Sequence, residues 1–252
     1  MKYFTAKNSI VRKIWGSPDT VLFIFAGAAA EFAVNKAVDW LYFTGRLPAD
    51  PLGRLFSTVV YANKIIFSEL DDANRAIDQI TAIHKTVEQN RQAQIPDWAY
   101  RDVLFMLIYY SVTSFEVLQR KLTDDEKEEI FDTFYRVGVR MGLTDLPQNY
   151  EDWTIAYEQH LQNDTVFSDF TIDLYKQYRK HLGYIRYQIL KQVQILIVPA
   201  RINHMLSLGQ IRFIIPVLWG YKLGRRLKLG GLIIKMVLPK AYGAQVKNLQ
   251  AA

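Results

Sequence analysis

The chain has 252 residues, half of them apolar, which is enough material for one sizeable domain with its own core. It contains no cysteine, so disulfides, thiolate zinc sites, cysteine-ligated iron–sulfur clusters and a thiolate-ligated haem are excluded, and any metal must be held by histidine or carboxylate. Charge is uneven: residues 1–173 carry 17 Lys and Arg against 25 Asp and Glu, whereas the last 79 residues carry 14 basic side chains and no acid.

The amino terminus, MKYFTAKNSIVRKIW, lacks the continuous apolar core of a signal peptide, so a cytoplasmic protein is expected. Helical periodicity dominates and no β-branched alternation is bounded by hairpin turns. An all-α fold is predicted, with residues 1–252 forming a single multi-helix domain. A first helix is predicted after GSPD (16–19), where Ser17 or Asp19 can cap it and Pro18 suits an early position. Its small residues, Ala26 to Ala30, let another helix or a flat ligand approach closely. A Pro-rich turn then leads into a helix beginning near Asp50, with Arg54 and Thr58 one turn apart on one face.

In the next helix, DANRAIDQITAIHKTVEQN (72–90), the positions Leu70, Ala73, Ile77, Ile80, His84 and Val87 share one face. That face is predicted to be buried, with Asp72, Arg75, Asp78, Gln79, Lys85 and Gln89 on the solvated side. The following segment includes Val103 to Phe115, 13 residues without a charge, short of the roughly 18 apolar residues of a spanning helix. No segment is expected to cross a bilayer. TDDEKEE (123–129) resembles the magnesium-holding aspartate segment of all-α prenyl-transferring enzymes, but Thr123 followed three residues later by Glu126 is more simply a helix capping box. No Glu-x-x-His pair is present, which removes carboxylate di-iron chemistry. Further helices are predicted from about Tyr150 to the end.

His84 is one of four histidines, with His160, His181 and His204. On an apolar helical face it is either a hydrogen-bonded core residue or a metal ligand. A neutral imidazole in an apolar pocket is a common haem ligand. Arg54 and Thr58 offer a cation and a hydroxyl to a bound porphyrin or oxygen, or else an ion pair to Asp50 or Glu69 and a back-bonded threonine.

The string DPLGRLFST (50–58), followed by IHKTV (83–87), resembles the paired signatures of the MpaB-type oxygenase family, which is related to latex clearing protein. FAGAAAEFA and RVGVRMGLTDLPQNYEDWTIAYEQHL are also similar to that family's pattern, so the resemblance covers about residues 16–160, and Pro199–Arg201 resembles a later family feature. The resemblance implies an all-α fold enclosing one b-type haem, with His84 as the proximal iron ligand and Arg54 and Thr58 beside the haem. It implies an oxygenase using O₂ or peroxide on an apolar, lipid- or isoprenoid-like substrate, with the residues from Val103 to Val117 expected as the pocket wall. Rubber-cleaving relatives place a distal lysine where this chain has Ser57. A serine cannot replace an amine as an iron ligand, so an open or water-filled distal side is expected and rubber cleavage is not assumed. Glu88-Gln89-Asn90 also replace the glycine usual after IHxxV, and the loop there is expected to differ.

The basic carboxy-terminal helices, 174–252, include YKLGRRLKLGG and IIKMVLPK, where Lys and Arg alternate with apolar residues in a composition suited to an anionic membrane interface. Trp219, Tyr221, Leu227, Leu232, Ile233 and Ile234 are the expected apolar insertion. Nucleic acid is not an expected partner, because no binding motif is present and the aromatics are not concentrated in the basic patches. A non-catalytic helical protein on a membrane surface, with or without haem, is the alternative to an oxygenase.

Overall fold

The computed structural model of the chain describes residues 2–45, 49–211, 213, 216 and 220. Ten helices run through this part: α1 (Ile10–Trp15), α2 (Pro18–Ala33), α3 (Val38–Phe43), α4 (Pro51–Ile66), α5 (Leu70–Arg91), α6 (Asp97–Leu118), α7 (Asp124–Met141), α8 (Tyr150–Asn163), α9 (Asp169–Ile197) and α10 (Ala200–Leu206). No strand occurs among the described residues, only the isolated bridges Tyr3 to Glu69 and Asn35 to Thr165. The all-α prediction holds. The predicted insertion residues Trp219, Tyr221, Leu227, Leu232, Ile233 and Ile234 lie outside the described residues.

The helix starts follow the local chemistry. Pro18 opens α2 directly after Ser17, and the Asp50 side chain caps α4 by accepting the Gly53 N–H at 2.9 Å. Thr123 and Glu126 exchange side-chain and backbone hydrogen bonds at the head of α7, so the acidic run serves as a capping box. The predicted first helix is in fact the second. The α1 helix precedes it, capped by Ser9, and its six residues are too few to display a helical period.

The α2 and α6 helices form the centre of the fold. They approach closely at Gly27, where a β-carbon would fall 2.2 Å from the Tyr110 ring, so only glycine allows this contact. Trp15 from α1 is buried beside them, its indole N–H donating to Ser111 Oγ at 3.1 Å. The α5 helix turns the predicted polar positions to solvent, and Ala73 and Ile77 are buried. Ile80, His84 and Val87 on the same face are only half covered, which corrects the prediction of a uniformly buried stripe. They face a cavity instead of a neighbouring helix.

The α9 helix packs along α2 and is interrupted at Gly183, whose φ of 72° and ψ of 169° lie in a region open only to glycine. Any other residue there is strained by roughly 1–3 kcal/mol. The break gives α9 two differently inclined halves, and both contribute to the cavity wall, through Tyr178 and Leu182 before it and Ile189 and Val193 after it. Among the described residues, no helix is long and apolar enough to cross a membrane.

Candidate functional site

A half-open cavity of about 1570 Å³ lies between α2, α3, α4, α5, α6 and α9, with one side of α7. Pockets for drug-sized ligands occupy about 300–1,000 Å³, so this space is larger than an ordinary small-molecule site. Its wall is predominantly aliphatic and aromatic; α4 and α5 contribute a group of polar side chains, and Asp19, Thr133 and Arg186 add others from α2, α7 and α9. Arg54, Ser57, Thr58 and His84 all border it. The two segments singled out in the sequence are thus brought to one space by the packing of α4 against α5.

On α4, the Arg54 guanidinium donates from Nη1 to Ser57 Oγ at 3.2 Å and to Thr58 Oγ1 at 3.3 Å. Both hydroxyls donate in turn to the Arg54 carbonyl, at 2.6 and 3.3 Å. Each hydroxyl proton is thereby used on the helix's own backbone. The oxygen lone pairs face the guanidinium, which fixes a cation at the edge of an apolar space, the arrangement that suits a carboxylate or a polarised oxygen.

On α5, His84 lies against the Tyr100 ring edge-on, with centroids 5.1 Å apart. Tyr100 donates its hydroxyl to Glu88 Oε1 at 3.3 Å, and the same oxygen accepts the Ile95 N–H at 2.9 Å. Glu88 therefore ties the end of α5 to the start of α6 and braces the residue that holds the His84 ring. The helix runs on through Glu88-Gln89-Asn90 to Arg91 and closes on Gln92 at a φ of 55°, so the missing glycine displaces the turn rather than removing it. His84 Nδ1 is buried and has no hydrogen-bond partner among the described residues. A core histidine normally has its buried nitrogens paired, and this atom lacks that pairing. Burial, then the charge of Arg54, lowers its pKa to about 4, against an opposing pull from Glu88. The ring is neutral at neutral pH and keeps a lone pair.

The expected wall from Val103 to Val117 is corrected in extent. Val103, Leu104, Met106 and Leu107 border the cavity, while Tyr110, Val112 and Phe115 are buried in the core on the other side of α6. A helix can offer only one stripe to a given space.

A second polar cluster, which the sequence did not reveal, lies on the opposite side of α2 and α6. His160 from α8 is 4% exposed and stands between Glu31 and Asp102, with Nε2 3.2 Å from Glu31 Oε1 and Nδ1 2.7 Å from Asp102 Oδ1. Asp164 Oδ2 is 3.5 Å from the same Nδ1. Glu31 Oε2 accepts the hydroxyls of Tyr110 at 2.8 Å and Tyr157 at 2.6 Å, and Asn35 donates to Asp102 Oδ2 at 2.9 Å. Burial disfavours the charged ring, but the flanking Asp102 and Glu31 outweigh it and push the His160 pKa up to about 10. Burial, the largest effect on Asp102, raises its pKa. The available signal was an acid beside an apolar run in each of two helices, Glu31 within FAGAAAEFA and Asp102 ahead of VLFML.

Compared with known families, residues 12–225 match the family described as ER-bound oxygenase mpaB/B'/Rubber oxygenase, catalytic domain. No curated protein matches the chain.

Proposed function

From a chain that belongs to the MpaB and rubber oxygenase catalytic-domain family, we propose a haem b-dependent oxygenase that acts on an apolar, lipid- or isoprenoid-like substrate. The observation that carries this reading is a neutral His84 at the wall of a cavity of about 1570 Å³, its buried Nδ1 without a hydrogen-bond partner among the described residues. The residues fit the group: a neutral imidazole for the iron, an apolar space for a flat macrocycle and a fixed cation at its rim. Bound haem would supply the activation of O₂ or peroxide, while the protein would supply a ligand to the iron and the surroundings.

The remaining chemistry belongs to the side chains. His84 would hold the iron from α5, and Glu88 and Tyr100 restrict how its ring turns. Arg54 would pair with a propionate or polarise an oxygen, and Thr58 holds the guanidinium through its lone pair. Ser57 offers only a hydroxyl already donated to a backbone carbonyl, so it leaves room for a small ligand. The aliphatic walls contributed by α6 and α9 would take up the apolar substrate.

The test is a haem titration followed by visible spectroscopy, then a screen for oxygen uptake with apolar substrates. One haem per chain with a Soret band is expected. A chain that binds no haem removes the enzyme reading. Charge-assisted hydrogen bonds contribute roughly 1.5–3 kcal/mol, so Arg54→Ala is expected to weaken haem retention or turnover about tenfold or more. Wild-type values in both would leave Arg54 without a role at the site.

The reading extends to a membrane surface as the source of substrate. On α9, Lys176, Arg179 and Lys180 are exposed beside Tyr184 and Ile185, which are 64% and 75% exposed. Basic residues near an anionic bilayer contribute about 1 kcal/mol each, and apolar side chains insert. Liposome co-sedimentation should therefore depend on anionic lipid and weaken as salt rises. Equal recovery with neutral and anionic vesicles would refute this extension.

A further inference from the structure

We propose that the buried cluster of Asp102, His160 and Asp164 is a divalent metal site, separate from the His84 cavity and suited to zinc or manganese. One nitrogen and two carboxylate oxygens from these residues all lie within 4.8 Å of one another. One imidazole and two carboxylates, with no sulfur, form a donor set for borderline to hard divalent ions.

Three features favour an ion over a simple ion pair. His160 is held as metal-ligating histidines are held. Its Nε2 faces Glu31 Oε1, and Glu31 is in turn fixed by the hydroxyls of Tyr110 and Tyr157. That outer carboxylate turns Nδ1 towards Asp102 and Asp164. At this position Nδ1, in a side chain only 3% exposed, has no hydrogen bond of acceptable geometry despite lying 2.7 Å from Asp102 Oδ1. An ion displaced from the line between the two atoms satisfies both without that alignment. Asn35 similarly orients the second oxygen of Asp102.

The charge balance points the same way. Glu31, Asp102 and Asp164 place three carboxylates around one imidazole, and no Lys or Arg among the described residues forms an ion pair with any of them. Uncompensated buried charge is expensive, and a divalent cation in place of the Nδ1 proton offsets more of it. Access is provided as well. The Asp164 side chain is 24% exposed, whereas those of Asp102 and His160 are each 3% exposed, so Asp164 links the site to solvent.

The test uses the full chain, dialysed against chelator and titrated with Zn²⁺ and separately with Mn²⁺. Retained metal is counted by elemental analysis, and affinity is measured by calorimetry. One equivalent of at least one ion is expected to survive gel filtration. Asp164→Asn is expected to lower its affinity tenfold or more, because Asp164 is a partly exposed ligand whose loss leaves the fold intact. His84→Ala should leave this ion in place, which separates the outcome from that of the haem proposal. Failure to retain either ion, equal affinity in Asp164→Asn, or loss of the ion in His84→Ala would each overturn the proposal. Anomalous diffraction from zinc-loaded crystals gives an independent check. Density between Asp102, His160 and Asp164 supports the site, and density only elsewhere refutes it.

Discussion

His84→Ala is expected to abolish stable haem binding while leaving far-UV circular dichroism unchanged. The α5 helix is anchored by Ala73, Ala76 and Ile77, which are buried, and His84 contributes no hydrogen bond through Nδ1 to that anchorage. Alanine is the best helix former, so the substitution removes the imidazole without breaking the helix. The apolar walls that would surround a porphyrin remain, so weak, non-stoichiometric association can persist, but the iron loses its protein ligand. Haem titration of the variant, followed by gel filtration and visible spectroscopy, measures the effect. Full occupancy with an unaltered spectrum would transfer the ligand role to His160, His181 or His204. His160 is the least suited of these, since both of its ring nitrogens face carboxylates.

Glu31→Ala is expected to produce the largest loss of stability of any single substitution considered. Glu31 is fully buried and is the shared acceptor of Tyr110, Tyr157 and His160. Removing it leaves two phenol hydroxyls and an imidazole nitrogen without their partner in the core. Breaking a buried ionic contact by deleting one side costs about 3–5 kcal/mol. In a chain of this size each kcal/mol lowers the melting temperature by about 2–4 °C, so a drop of about 6–20 °C is expected. Thermal unfolding followed by circular dichroism reads it directly. A shift of under 3 °C would show that water or rearranged side chains replace the carboxylate.

Much of this was legible in the sequence where the cause was local. The capping chemistry of Asp50 and Thr123 depends on residues three positions away and was visible as such. The place of His84 on the apolar side of α5 followed from periodicity, and its meeting with Arg54 required only that adjacent helices pack together. The family match over residues 12–225 agrees with the resemblance that the motifs carried. What periodicity could not show was the difference between a face against a helix and a face against a cavity. Both are apolar in sequence, and Ile80 and Val87 differ from Ile77 only in what lies opposite them. The interruption at Gly183 was hidden because a glycine within a helical pattern is compatible with an unbroken helix. The cluster around His160 was illegible because its members lie on three helices far apart in the chain.

That separation bears on how the protein unfolds. Glu31 meets Tyr110, Tyr157 and His160 across 79, 126 and 129 residues of chain. Loops of that length must be closed before any of these bonds can form, so α2, α6 and α8 must already have docked when the cluster assembles. Bonds made after the rate-limiting step add little to the speed of folding and raise the barrier to leaving the native state. If the cluster closes after that step, weakening it hastens unfolding, and with it the exposure of the chain to proteases, more than it slows folding.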